Sequence, residues 1–327
     1  MKKKAIIFDC DNTLWDGVLG EGEIITKDIQ KDAIFLANRG VIIGLCSKNN
    51  EADVIEALKT QPLTMDYISI ARINWENKVH NLREIALELN IGLDAIVFVD
   101  DSDFEINLIK SALPEVMAIY PDDLMNVANE YFDLSGSFTK TQQYKENFIR
   151  ARYSKDFDSI DDYLNSLDMT LKIEVNNFDH VERVAELTQK TNQFNLTGYR
   201  YTTNEIKTLM DDNLVYSLSV KDKFGDNGLT GICIIRRIYE DYVIDVLLLS
   251  CRVLGRQIEY AFMDYIINDL KGMGIERVVG NYKESYKNEQ VKDFYRDCGF
   301  NRMAAKDWYS INTSDYKPKS KIHFNYE

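Results

Sequence analysis

Short apolar runs alternate with amphipathic segments along residues 1–135 of the chain. The apolar runs predict strands at residues 4–9, 41–47, 65–70, 95–101 and 115–120. The intervening segments carry a helical spacing of apolar residues and predict helices at residues 26–40, 50–60, 74–90 and 102–113. Near-continuous apolar strands separated by helices are typical of a parallel sheet covered on both faces. The first part of the chain is therefore predicted to be an α/β domain.

The pattern changes after residue 135. Residues 136–168 are polar and helix-forming without a strand, which predicts a helical connector. From residue 169 the pattern predicts strands at 171–175, 215–220, 231–240, 242–250 and 277–282, and helices at 179–195, 255–274 and 288–299. This order indicates an α+β domain. The predicted organisation is an α/β domain (1–135), a connector (136–168) and an α+β domain (169–327).

Composition excludes several classes of protein. The chain has 327 residues, a formal net charge of −14 and a pI near 4.8, and nucleic-acid binding requires a basic face. No apolar run is long enough to predict a transmembrane helix. The opening MKKKAIIFDCDNT predicts a strand and not a signal peptide, because its apolar patch leads directly into acidic residues. The five scattered cysteines form no CxxC pair, so a cytoplasmic protein with reduced thiols is expected.

Polar side chains follow several predicted strands, where a parallel sheet binds its ligands. They are Asp9, Asp11 and Thr13 in IIFDCDNT, Ser47 and Asn49 in GLCSKNN, and Asp100 and Asp101 in VFVDDSD, and Lys78 opens the helix after NWEN. Each residue alone is more often a helix cap, a solvated lysine or an acidic loop. Their joint occurrence in this order favours a phosphoryl-transfer site, since carboxylates are the ligands that Mg²⁺ prefers.

These motifs resemble those of the haloacid dehalogenase (HAD) superfamily. The resemblance implies a Rossmannoid parallel sheet with Asp9 as the nucleophile and Asp11 as the general acid and base. It implies that Ser47, Thr13 and Asn49 bind near the phosphate and that Lys78 offsets its charge. Mg²⁺ would be held by Asp9, Asp11 and Asp100 or Asp101. The short gaps between motifs leave no room for a cap domain, so the C-terminal domain is a candidate lid.

A loop in the second domain resembles the acyl-CoA loop of the GNAT family of N-acetyltransferases. It reads SCRVLGRQ and includes Arg252, Gly255 and Arg256 before a long helix, where backbone N–H groups favour a pyrophosphate. Gln257 departs from the family pattern, which has a small residue there. The resemblance implies that a CoA or phosphopantetheine thiol is the acceptor.

Two further segments fit the same fold. Asn288 and Tyr295 match a binding asparagine and the tyrosine that often protonates the departing thiolate in that family. The alternative is that Tyr295 is a core aromatic residue on a helix face. Asn195, in TNQFNLTGYR, lies where the fold predicts substrate contact, and the alternative is a polar loop after a helix.

Two cysteines lie beside candidate sites. Cys251 lies between a strand end and a helix start, beside Arg252, which favours a nucleophilic thiol. The alternative interpretation is that Cys251 is a small buried residue at a strand end. Cys10 alternates with Asp9 and Asp11 on a strand and is expected to point away from them into the core.

The combination of a capless HAD domain with a GNAT-like domain resembles FkbH-like proteins, as do the segments DNTLWDGVLGE, INWENK and FGDNGLTG. The resemblance implies a phosphorylated small-molecule donor, 1,3-bisphosphoglycerate. It also implies transfer of its glyceryl group through a cysteine thioester to an acyl carrier protein. The alternatives are a simple phosphatase acting on a surface-glycan or small-metabolite precursor, and a binding protein without turnover.

Overall fold

The computed structural model describes residues 2–89, 91–305 and 307–327. It divides the chain into two compact units, residues 1–156 and 157–327. The predicted connector at 136–168 therefore contributes to both units. Its helix Phe138–Tyr153 belongs to the first unit and its helix Ile160–Ser166 to the second.

The first unit is built on a five-stranded parallel sheet. Its strands are β1 (Ala5–Phe8), β4 (Ile42–Ser47), β5 (Ile70–Ile73), β6 (Ile96–Val99) and β7 (Met117–Ile119), in the order β5-β4-β1-β6-β7, and a short hairpin adds β2 (Trp15–Asp16) and β3 (Ile25–Thr26). Its helices are α1 (Ile29–Ala37), α2 (Glu51–Leu58), α3 (Lys78–Glu88), α4 (Asp103–Ala112), α5 (Leu124–Tyr131) and α6 (Phe138–Tyr153).

Two apolar cores cover the two faces of this sheet. One joins inward-facing residues of α1 and α5 to one face, and the other joins α3 and α4 to the opposite face. Gly44 of β4 shows how tightly the strands pack, because a Cβ atom there would lie 2.6 Å from Ile7 Cδ1. Within residues 2–89, β1 and β4 are joined by the β2–β3 hairpin and α1, and β4 and β5 by α2. Neither connection holds a cap domain.

The second unit is built on a nine-stranded mixed sheet. Its strands are β8 (Thr170–Val175), β9 (Phe194–Asn195), β10 (Leu214–Asp222), β11 (Gly225–Ile238), β12 (Asp241–Leu249), β13 (Arg277–Asn281), β14 (Asn301–Arg302), β15 (Trp308–Asn312) and β16 (Asn325–Tyr326). Its helices are α7 (Ile160–Ser166), α8 (Val181–Lys190), α9 (Thr203–Asp212), α10 (Ile258–Gly272) and α11 (Phe294–Asp297). β13 pairs in parallel with the first part of β12, whereas β9 pairs with its last two residues. The predicted fold class, a parallel α/β unit followed by an α+β unit, is confirmed.

Three predicted elements were misplaced. The strand predicted at 65–70 is β5 at Ile70–Ile73, because turn hydrogen bonds hold the preceding residues and pairing with β4 begins at Ile70. The helix predicted to reach residue 195 ends at Lys190, since the following chain pairs with β12 as β9. The helix predicted at 288–299 is an α-helix only over Phe294–Asp297. Residue 90, the predicted end of another helix, lies outside the described residues.

The length and composition of the helices show whether any of them is a candidate membrane span. Among the described residues, no helix combines the length and the apolar character that a membrane span requires.

Candidate functional site

The carboxyl edge of the parallel sheet brings the predicted acidic residues together. Asp9 follows β1, and Asp100 and Asp101 follow β6, which pairs directly with β1. One carboxylate oxygen from each of Asp9, Asp100 and Asp101 lies within 4.8 Å of the others. We call these three residues the carboxylate cluster. The buried strands fix its spacing, because β1 and β6 are both fully enclosed by the cores.

Lys78 joins two members of the carboxylate cluster. It is the first residue of α3, and its Nζ lies 2.7 Å from Asp9 Oδ1 and 2.7 Å from Asp100 Oδ2. All three side chains are buried. Burial alone would lower the pKa of Lys78, but the charges of Asp9 and Asp100 raise it above its ordinary value. Lys78 is therefore a fixed cation at the centre of the site.

Burial changes the acidity of the nucleophile candidate. It raises the pKa of Asp9 to about 6, against the opposing effects of Lys78 and of a hydrogen bond with Ser47. Burial also raises the pKa of Asp100, again opposed by Lys78. Ser47 ends β4 and is buried next to β1, so its hydroxyl is within reach of a group bound at Asp9. The structure thus brings Asp9, Ser47, Lys78 and Asp100 to one place, as the motifs predicted.

Two other predicted residues support these groups. The Thr13 hydroxyl donates to Asp101 Oδ1 at 3.1 Å and accepts from the Asp101 backbone N–H at 3.2 Å. Thr13 is fully buried, which favours a role in orienting Asp101 over direct contact with substrate. Asn49 Nδ2 donates to Asp11 Oδ2 at 2.9 Å, so this residue holds the second aspartate of the motif.

The Asp11 carboxylate lies outside the carboxylate cluster. Its Oδ1 accepts hydrogen bonds from Trp15 Nε1 at 2.9 Å and from the Leu19 backbone N–H at 3.0 Å. These bonds tie it to the turn that leads into the β2–β3 hairpin. A metal role for Asp11 would therefore use its backbone carbonyl. Trp15 was not predicted as a site residue, although its position four residues after Asp11 was a usable signal.

The carboxylate cluster fits a divalent cation. Its members supply oxygen atoms, and each is already oriented by a hydrogen bond from Lys78, Ser102 or Thr13. Hard cations such as Mg²⁺ prefer such ligands and complete their shell with water. The residues present therefore suit Mg²⁺, with Asp9 and Asp101 as carboxylate ligands beside Asp100.

Mg²⁺ is expected to stabilise the folded protein. At about 100 times its dissociation constant, a ligand that binds only the folded state adds about 2.7 kcal/mol to the free energy of unfolding. Thermal denaturation with and without MgCl₂ measures this gain. Asp100→Asn should greatly reduce it, whereas Asp103→Asn, an exposed carboxylate outside the cluster, should not. An equal gain in both variants would contradict a metal site at the cluster.

Cys10 lies in the apolar core of the first unit. It is fully buried in the core with Leu14 and Trp15, and burial raises the pKa of its thiol well above the ordinary value. The prediction that Cys10 packs in the core is confirmed.

Cys251 differs from the other cysteines of the chain. Of the five, all of which the structure describes, Cys251 is exposed and the remaining four are buried. It begins the short turn Cys251–Val253 after β12, ahead of α10. Arg252 follows it with Nε 3.3 Å from Ser250 Oγ, and burial and the neighbouring Arg183 lower the pKa of Arg252. An accessible thiol thus lies beside a half-buried guanidinium.

The loop between Cys251 and α10 is tied to the rest of the second unit. Arg256 forms an ion pair with Asp222 at 3.1 Å and donates to the Arg252 carbonyl at 3.0 Å. Its guanidinium is buried in these contacts, which hold the loop in place, and its role in binding a ligand stays a prediction. Gly255 has a φ of +77° and open space around it, which suits close approach of a ligand to the backbone.

Gln257 occupies the position that departs from the GNAT pattern. It has a left-handed φ of +59°, and its side chain contacts Asp161 and the Lys321 backbone N–H, both at 3.3 Å. A cavity of about 170 Å³ beside Gly255 is also lined by Glu259, whose carboxyl pKa is raised by burial. The Gln257 side chain and the Glu259 carboxyl group at the start of α10 disfavour binding of a pyrophosphate there.

Asn288 and Asn195, two further residues predicted to bind a ligand, are buried in the second unit. Asn288 is buried, and its side chain donates to the Asn195 and Lys283 carbonyls and accepts from the Ser285 N–H and the Tyr282 hydroxyl. Asn195 is also buried and bonds to the Thr191 carbonyl and to the N–H groups of Thr197 and Gly198. Both asparagines therefore hold the β9 segment in place, and their role in substrate binding stays a prediction.

Tyr295 is a core residue. It is 1% exposed and packs against Phe300, Tyr309 and the Cα position of Gly280. Its hydroxyl lies near the Asn281 backbone without a hydrogen bond of ordinary geometry, and burial raises its pKa well above the usual range. This placement agrees with the alternative of a core aromatic and not with a proton donor open to substrate.

Comparison with known proteins gives matches to solved structures alone. No model of a known protein family and no curated protein matches the chain. The N-terminal part of the protein BF1531 from Bacteroides fragilis, which contains a phosphatase domain complexed with Mg, is 35% identical with a TM-score of 0.38. This match covers 41% of the present chain and 42% of the Bacteroides fragilis chain, so it spans less than half of either.

Acetyltransferase structures are also similar to the chain. The ribosomal-protein-S18-alanine N-acetyltransferase from Escherichia coli is 9% identical with a TM-score of 0.36, covering 47% of this chain and 100% of that one. An N-acetyltransferase from Staphylococcus aureus Mu50 is 15% identical with a TM-score of 0.34, covering 45% and 99%.

Proposed function

We propose that the chain is an Mg²⁺-dependent enzyme that removes a phosphoryl group through Asp9. The observation that carries this proposal is the buried contact of Lys78 with both Asp9 and Asp100 at the carboxyl edge of the sheet. A structural ion pair would need one carboxylate for one ammonium. Here two carboxylates contact a single lysine and a third, that of Asp101, lies beside them, an arrangement that favours an added cation and a transferring phosphoryl group.

The residues of the site divide the reaction between them. An Asp9 carboxylate oxygen attacks phosphorus, and the bond to the leaving oxygen breaks with its electron pair. Asp11, held by Asn49 and Trp15, supplies a proton to an alkoxide leaving group and then takes one from the water that attacks the aspartyl phosphate. That water releases phosphate and restores the Asp9 carboxylate. Lys78 and Ser47 bind the phosphoryl oxygens, and bound Mg²⁺ would offset their remaining charge.

We further propose that the second unit transfers an acyl group through Cys251. The exposed thiol beside Arg252 supports this role, since the other four cysteines are enclosed. The thiol attacks the acyl carbon of an acyl phosphate, the carbon–oxygen bond breaks, and phosphate leaves while the thiol proton passes to solvent. The acceptor is the phosphopantetheine thiol of an acyl carrier protein, because the start of α10 disfavours the pyrophosphate of free CoA.

The resemblance to FkbH-like proteins supports glyceryl as the acyl group and 1,3-bisphosphoglycerate as the donor. The second candidate function is a simple phosphatase for a surface-glycan or small-metabolite phosphate, and the first unit by itself contains every residue that this reaction needs.

One experiment separates these functions. The wild-type protein is incubated with 1,3-bisphosphoglycerate and MgCl₂, and phosphate release and intact protein mass are measured together. Acyl transfer predicts phosphate release together with an added glyceryl mass. Phosphate release without an adduct, lost in EDTA, would identify a simple phosphatase. The absence of both would overturn the proposed function.

A further inference from the structure

A second lysine lies at the phosphoryl-transfer edge of the first unit. Lys48 directly follows β4, and its Nζ lies 2.7 Å from Oε1 of Glu105, in the first turn of α4. α4 follows β6, and in the sheet order β1 lies between β4 and β6. The ion pair therefore crosses the sheet edge at the end of β1, the strand that carries Asp9.

The two partners of this ion pair differ in their access to solvent. The Glu105 side chain is 8% exposed, whereas that of Lys48 is 38% exposed. Among the described residues, Glu105 Oε2 is buried with no hydrogen-bond partner. Burying a carboxylate in this way is costly unless a cation compensates it, so Glu105 fixes the position of the Lys48 ammonium. Glu105 thereby acts as a positioning residue and Lys48 as the group it presents.

The contrast with Lys78 indicates what Lys48 can do. The Lys78 side chain is 5% exposed and is enclosed by two carboxylates. Lys48 keeps a partly exposed side chain, and Ser47 and Asn49 are its direct neighbours along the chain. A surface lysine at this edge would ordinarily move freely, but the nearly buried Glu105 holds the ammonium of this one 2.7 Å from its own carboxylate.

We propose that Lys48 binds a second anionic group of the phosphorylated substrate, a carboxylate or a second phosphate, and so selects donors with two anionic groups over monoesters whose phosphate is the only anionic group. This inference rests on the proposed phosphoryl-removing function of the first unit. Lys48 contributes binding that is the same in the ground state and the transition state, since the second anion takes no part in the chemistry. Its loss therefore raises KM and leaves kcat unchanged.

A matched pair of substrates tests this inference. 2-Phosphoglycolate and ethyl phosphate carry the same phosphate on two carbons, and differ by a carboxylate in place of a methyl group. For Lys48→Met we expect kcat/KM with 2-phosphoglycolate to fall about 10- to 100-fold, the range for a charge-assisted hydrogen bond. Ethyl phosphate turnover should change less than about twofold. Lys59→Met, which removes an exposed lysine paired with Glu56, should change neither substrate.

Further variants keep the result interpretable. Lys48→Met leaves Glu105 without its partner, so the double variant Lys48→Gln/Glu105→Gln removes both charges and should show the same loss of selectivity. Glu105→Gln alone should raise KM for 2-phosphoglycolate by a smaller factor. Ethyl phosphate turnover reports whether each variant is folded and active.

The other possible outcomes contradict either the inference about Lys48 or the proposed function of the first unit. Equal losses with both substrates would mean that Lys48 binds the transferring phosphate, and unchanged kinetics would mean that it binds no substrate group; either overturns the inference. If the wild-type protein hydrolyses neither compound nor 1,3-bisphosphoglycerate, the proposed function itself fails.

Discussion

Replacing Asp9 with asparagine is expected to lower phosphate release on the order of 10³-fold or more. The amide has nearly the same shape and can still accept a hydrogen bond from Lys78, but it is a poor nucleophile and a weak ligand for Mg²⁺. Losses of this size are typical when a group that forms a covalent intermediate is removed. Phosphate release from ethyl phosphate, which has no acyl phosphate for Cys251 to attack, gives the comparison with wild type when it is measured with saturating MgCl₂.

A matched variant controls for the loss of one acidic residue. Asp16 lies in the same segment with its side chain 64% exposed and 3.4 Å from Lys27, so Asp16→Asn should keep wild-type activity. Circular dichroism and thermal melting of Asp9→Asn establish that the variant is folded. Full phosphate release by folded Asp9→Asn would rule out Asp9 as the nucleophile.

The candidate site of the first unit was predictable because its position follows from the fold class. Parallel strands bring their carboxyl ends to one edge, so polar residues that end β1, β4 and β6 meet there although they are far apart in sequence. Asp9, Lys78 and Asp100 accordingly lie in direct contact. The pair of Lys48 and Glu105 was not predicted, since 57 residues separate them and no local pattern connects the two positions.

The second unit was harder to predict because its local patterns compete with long-range pairing. Phe194 and Asn195 continue a helical pattern, yet they pair with Leu248 and Leu249. Full burial of Asn288 depends on contacts that its neighbours along the chain do not specify. Helix α9 was missed although Thr202 and Glu205 form a capping box, a signal that is visible in the sequence.

Replacing Cys251 with serine is expected to abolish the covalent acyl adduct and to leave phosphomonoester hydrolysis by the first unit intact. A serine hydroxyl is a much weaker nucleophile than a thiol and would give an ester instead of a thioester. Intact mass spectrometry after incubation with 1,3-bisphosphoglycerate should show no added mass. Peptide mapping of the wild-type adduct should place the acyl group on the segment that contains Cys251.

The control for this variant is a buried thiol. Cys298 is enclosed, and burial raises its pKa well above the ordinary value, so Cys298→Ala should acquire the adduct as wild type does. An adduct that persists in Cys251→Ser would assign the acyl group to another residue.

The Asp9→Asn variant also predicts the mass of the adduct on Cys251. Under the proposed function, attack of the Cys251 thiol on the acyl phosphate would release one phosphate without help from Asp9, whereas removal of the phosphate ester at the other end of the acyl group would need the first unit. Asp9→Asn should therefore still acquire mass on Cys251, but the adduct should retain its phosphate. A glyceryl adduct without phosphate in Asp9→Asn would mean that the ester is removed elsewhere, and no adduct at all would mean that Asp9 acts before the thiol.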